Sequence, residues 1–110
     1  MRLPNAEQAI IPPEKLRDYL LSLEHSEGRH KAVIFRALGF RAESWTVFEI
    51  AIREQHLTQD AEETPADEHG RRYQIVAPIT GPNGRTAIIK AGWIILHGED
   101  IPRFVSAYPE

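Results

Sequence analysis

Tyr73-Gln74-Ile75-Val76-Ala77-Pro78-Ile79-Thr80-Gly81-Pro82-Asn83-Gly84-Arg85-Thr86-Ala87-Ile88-Ile89-Lys90 is the stretch that decides the fold. Its first part alternates, Tyr73, Ile75, Ala77 and Ile79 against Arg72, Gln74, Val76 and Pro78, which is the two-residue period of a strand with one buried face. Pro78 cannot donate to a ladder and so favours an edge or strand-end position. Gly81-Pro82-Asn83-Gly84 is a turn, because proline presets the backbone for it while asparagine and glycine tolerate positive φ. Two antiparallel strands therefore meet across it.

Toward the C-terminus, Arg85 to Lys90 and Ala91 to His97 are rich in isoleucine and form one long bent strand or two strands kinked at Gly92. Gly98-Glu99-Asp100 turns the chain again. Pro102 to Tyr108 supplies a last strand, with Phe104, Ser106 and Tyr108 expected on one face and Arg103, Val105 and Ala107 on the other.

Ahead of the hairpin the period lengthens. Leu3 to Ile11 reads as an extended lead-in closed by Pro12-Pro13. From Pro13 onward Leu16, Tyr19, Leu20 and Leu23 recur at three- and four-residue spacing and predict a helix with one buried stripe. His25-Ser26-Glu27-Gly28 is a polar break. Ala32, Ile34, Phe35 and Leu38 mark a short second helix, closed by Gly39 in a left-handed conformation. Ser44 is positioned to cap a third helix, with Trp45, Phe48, Ala51 and Ile52 inward, ending near His56 or Leu57.

Between the halves, residues 57 to 70 carry Asp60, Glu62, Glu63, Asp67 and Glu68 without a lysine or arginine, and are expected to form a loop. The predicted architecture is α+β, with N-terminal helices packed on one face of a three- to four-stranded antiparallel sheet. All 110 residues fit one domain: a helical half 1–56, the acidic loop 57–70 and the sheet 71–110. The whole chain has 13 basic and 16 acidic residues, a net charge of -3, but outside the acidic segment the 13 basic groups exceed the remaining acids and leave that part mildly basic. The absence of cysteine removes disulfides, thiolate metal sites and a thiol nucleophile. No segment approaches the roughly 20 apolar residues of a membrane span, and the start lacks a signal-peptide run, so a cytoplasmic protein without membrane association is expected.

The five histidines (His25, His30, His56, His69 and His97) offer no HExxH, and His25 and His30 stand five apart, a spacing that a regular helix splays. Neither a metal site nor a small-molecule cofactor is expected. No phosphate-binding GxxxxGK[ST] or GxGxxG occurs, and no serine sits in a glycine-flanked elbow. What remains is the imidazole and ammonium of His30 and Lys31, side by side in Gly28-Arg29-His30-Lys31-Ala32 at the start of the second helix. Cleavage of RNA without a metal needs a base for the 2'-hydroxyl, an acid for the leaving oxygen, and cations or donors for the charged phosphorane. His30 suits either proton-transfer role, Lys31 and Arg85 suit phosphate, and Ser106 and Tyr108 offer hydrogen bonds from the last strand. Each has a plainer reading. His30 and Lys31 are also what a solvated first turn looks like, Arg85 is also a charge blunting a hairpin end, and Ser106 and Tyr108 are also ordinary strand residues.

Read in order, Leu3-Pro4-Asn5-Ala6, Gly28-Arg29-His30-Lys31-Ala32 with Phe35, Leu38-Gly39-Phe40, Gly81-Pro82-Asn83-Gly84-Arg85-Thr86, Trp93 and Pro102-Arg103-Phe104-Val105-Ser106-Ala107-Tyr108-Pro109 resemble a family of small uncharacterised bacterial proteins. Its members occur alone or as the C-terminal tips of large secreted polymorphic toxins, which implies a toxin-like role. The element order also resembles the barnase and colicin-type ribonucleases, which cut RNA without a metal. That resemblance implies an active site at His30, Lys31, Arg85, Ser106 and Tyr108, with RNA as the partner. The family pattern has threonine where this chain has Ser106, a change that keeps the hydroxyl and frees its rotamer. The contrasting expectation is a non-catalytic module of a toxin system, antitoxin- or immunity-like, whose acidic segment 57–70 docks on a cognate small protein.

Overall fold

In the computed structural model, which describes residues 1–26 and 29–110, a 3-10 turn at Ala6–Gln8 interrupts the expected extended lead-in, and three longer helical segments then precede four strands among the described residues. They are α1 (Pro13–Lys15, running on as a π-helical turn, Leu16–Leu20), α2 (Arg29–Ala37), α3 (Trp45–Ala51, running on as a π-helical turn, Ile52–His56), β1 (Ala61–Thr64), β2 (Gly70–Thr80), β3 (Thr86–Leu96) and β4 (Arg103–Pro109). Glu27 and Gly28, half of the expected polar break, lie outside the described residues. Among the described residues no helix is long and apolar enough to cross a membrane.

The hairpin forms where its alternation places it. β2 and β3 pair antiparallel over their full eleven residues, from Gly70↔Leu96 to Thr80↔Thr86. Tyr73, Ile75, Ala77 and Ile79 of β2 and Ile89, Ala91, Trp93 and Ile95 of β3 are buried on the helix-covered face. The four strands stand in the order β1-β2-β3-β4, all antiparallel neighbours, so the fold is α+β with the helices on one side of the sheet. Phe35, Phe40 and Phe48 join the helices, with ring centroids 4.9 Å apart for Phe35–Phe48 and 4.6 Å for Phe40–Phe48, geometry that favours aromatic contact.

Three further sequence expectations change. The acidic segment is not all loop, because its Ala61 to Thr64 pair with Ile75 to Arg72 as the edge strand β1. Ala61 alone carries the apolar signal there, so the strand is specified by backbone pairing more than by side chains. In α1, Leu21 replaces Leu23 in the core, since the Leu21 N–H bonds the Leu16 carbonyl at 2.9 Å, one residue beyond a regular turn, and rotates Leu21 inward. Ser44 makes no side-chain cap; Ala42–Ser44 form a 3-10 turn instead.

The last strand also departs from simple alternation. Gly92 pairs with Ser106 and Trp93 with Phe104, leaving Val105 as a bulge. Phe104 therefore joins Ala107 in the core instead of sharing a face with Ser106 and Tyr108, which pair across the sheet with Gly92 and Lys90. β4 is the second edge. Its first part is covered by Ile10, which bonds the Pro102 carbonyl and accepts from the Phe104 N–H, both at 2.9 Å.

Candidate functional site at the edge strand

Beyond Phe104 the outer edge of β4 would present bare backbone, and lysines from the helices reach over it. The bulge turns the Val105 carbonyl outward, where the Lys15 ammonium of α1 donates to it at 2.9 Å. Lys31 of α2 donates to the Ser106 hydroxyl and to the Tyr19 hydroxyl, each at 3.1 Å. Its Nζ also stands 5.0 Å from the centre of the Tyr19 ring and 5.3 Å from that of Tyr108. The Lys90 Nζ lies 5.9 Å from the Tyr108 ring centre. Three ammonium groups thus gather around two hydroxyl-bearing aromatics and a serine. An ammonium has three donors, so among the described residues Lys31 uses two and Lys15 one.

Two cavities meet at Val105 and Ser106. One, of about 350 Å³, is bordered by α1 and the start of the chain's polar break, where Lys15, Tyr19, His25 and Ser106 line it. The other, of about 300 Å³, lies on the open face of the sheet over Gly92, with Lys90, Ser106 and Tyr108 at its wall. Glu14 and Asp18 also line the first cavity. Asp18 is held bidentate by Arg17 at 2.9 and 3.0 Å, which keeps its carboxyl below the ordinary aspartate range.

Of the residues expected from sequence, Lys31, Ser106 and Tyr108 come together. His30 is exposed on the first turn of α2, rotated about 100° around the helix from Lys31. Arg85 does not join them. It sits in the β2–β3 turn, seven residues along β3 from the Gly92 that faces Ser106, roughly 23 Å away at strand rise. The turn itself docks on the other end of α2, through the Asn83 side-chain amide to the Ala37 carbonyl at 2.8 Å. The residues that sequence reasoning passed over are Lys15, Tyr19 and His25. His25 packs edge-on against Tyr19 with ring centres 4.7 Å apart. As a polar residue in a break between helices it carried no periodic signal. Among the described residues no three acidic or histidine side chains gather as a possible metal-ligating group.

Several carboxylates of the acidic segment have partners within the chain, all at exposed positions. Asp60 pairs with the N-terminal ammonium, Asp67 with Arg72, and Glu62 accepts from Gln74 at 3.4 Å.

Over residues 2–110 the sequence matches the family described as "Domain of unknown function (DUF6883)", and the chain belongs to that family. Among solved structures it is similar to a chain of a contact-dependent growth inhibition toxin–immunity protein complex from Klebsiella pneumoniae 342, at 14% identity and a TM-score of 0.60. The match covers 92% of this chain and 99% of that one, and at this identity it speaks for the fold. A search of curated proteins found no match.

Proposed function

We propose that this chain is the toxin member of a bacterial toxin system and cleaves RNA by metal-independent acid–base chemistry at the outer edge of β4. The observation that carries this reading is Lys31 held between Ser106 and Tyr19, with His25 and Lys15 in the adjoining cavity. Such a cluster suits a phosphodiester, since ammonium donors and hydroxyls face the place where the phosphorane would gather charge. The toxin-system part draws support from the Klebsiella pneumoniae neighbour, whose complex pairs a toxin with an immunity protein.

In this reading His25 takes the proton of the 2'-hydroxyl, the 2'-oxygen bonds to phosphorus, and the bond from phosphorus to the 5'-oxygen breaks. The leaving oxygen takes a proton from Tyr108, two residues along β4 from Ser106. Lys31 and Lys15 offset the phosphorane charge, and Ser106 orients the phosphate. His25 is preferred to His30 because it lines the cavity that Ser106 and Lys15 also line. The antitoxin- or immunity-like alternative draws on the charge of segment 57–70, of which Asp60 and Asp67 pair with cations inside the chain.

The test is incubation of the purified protein with total RNA and tRNA in excess EDTA, followed by end analysis. Cleavage leaving 2',3'-cyclic phosphates is expected. RNA that stays intact at micromolar protein sinks the reading.

A further inference from the structure

The open-face cavity lies in one row of the sheet. Gln74 of β2, Gly92 of β3 and Ser106 of β4 are direct cross-strand neighbours, so their outward positions line up across three strands. The middle position has no side chain. A Cβ built there would meet nothing nearer than Val105 at 3.9 Å, so neither packing nor a close backbone approach requires glycine at this point. Its consequence is the hollow itself, whose volume of about 300 Å³ stands at the lower end of small-ligand sites. Lys90 and Tyr108, the next row along, form one wall, and Ser106 joins the hollow to Lys31.

We infer that this hollow receives the base of the nucleotide adjoining the phosphate held at Lys31. The substrate class, RNA, rests on the ribonuclease reading above. A flat heteroaromatic ring can lie close on glycine backbone with the Tyr108 ring beside it, and stacking of this kind tolerates any base. The Gln74 amide offers a donor and an acceptor to a base edge. Its present bond to Glu62, at 3.4 Å, is long and readily exchanged.

The probes are inorganic phosphate, ribose 5-phosphate, and uridine and adenosine 3'-monophosphates, titrated into the intact protein by NMR. The nucleotides are expected to bind about tenfold tighter than ribose 5-phosphate, the difference that one stacked base confers. Gly92→Val should erase that advantage and leave phosphate affinity within twofold, whereas Lys31→Ala should weaken every ligand. If Gly92→Val melts early, Gln74→Ala replaces it and should narrow the advantage severalfold. Nucleotides that bind no better than ribose 5-phosphate, or a Gly92→Val protein that binds them as well as the parent does, would overturn the base site while the phosphate site stands. Absence of any phosphate binding would remove both.

Discussion

His56 is the buried histidine of this chain, and its environment makes a sharp statement about acid stability. Its Nε2 lies 2.7 Å from the Ile89 carbonyl and so carries the proton, which fixes the neutral tautomer. Burial pushes its pKa below the ordinary value of 6.5, against the pull of the Ile89 and Ala77 carbonyls, and Nδ1 completes no hydrogen bond. The unfolded chain therefore binds a proton more readily than the folded one. Stability is full above about pH 6.5 and declines as pH falls from there toward the lower folded value. Urea midpoints at pH 7.5, 6.5 and 5.5 should show this decline, and His56→Leu should flatten it. An equal decline in the variant would assign the acid sensitivity elsewhere. The depressed Asp18 and Asp67 carboxyls act in a separate window below about pH 4, because their stability is lost only as they protonate.

The β2–β3 turn docks closely on the end of α2. Gly39, with φ +99°, closes that helix, with the Phe40 N–H returning to the Phe35 carbonyl at 3.3 Å and the Gly39 N–H to Arg36 at 3.0 Å. Against this cap lies Gly81, where an added Cβ would stand 1.9 Å from the Leu38 carbonyl oxygen. Gly81→Ala should cost about 2 kcal/mol or more, because backbone on both sides must move. A melting temperature unchanged in that variant would contradict the contact. Both features were legible beforehand, since Gly39 ended a periodic stripe and Gly81-Pro82-Asn83-Gly84 was a turn by composition. The β1 strand and the Val105 bulge were not. β1 shows one buried apolar residue, and a bulge depends on how two strands pair rather than on either sequence. The bulge matters most for the site, since the carbonyl it exposes draws Lys15 to the edge while Ser106 and Tyr108 keep the open face. Lys31 and Ser106 were readable as chemistry, but their meeting depends on a fold that closes a sequence separation of 75. Arg85, equally suitable by type, is carried to the far end of the hairpin.

At the scale of the molecule, helices cover one face of the sheet and leave the other open, and the lysines stand where the covered layer ends at β4. A basic site can persist on a chain of net charge -3 because the acidic segment 57–70 lies around β1, at the opposite edge of the sheet. Two cavities share Val105 and Ser106 at that edge, one beside α1 and one on the open face of the sheet. The measurement that bears most directly on this assignment is the RNA cleavage rate in EDTA for the parent protein and for His25→Ala, His30→Ala and Lys31→Ala. Loss of about 100-fold or more is expected for His25→Ala and Lys31→Ala, in the range of lost acid–base or charge-stabilising groups, with His30→Ala within a few-fold of the parent. Full activity in Lys31→Ala, or loss confined to His30→Ala, would contradict a catalytic centre at the edge of β4.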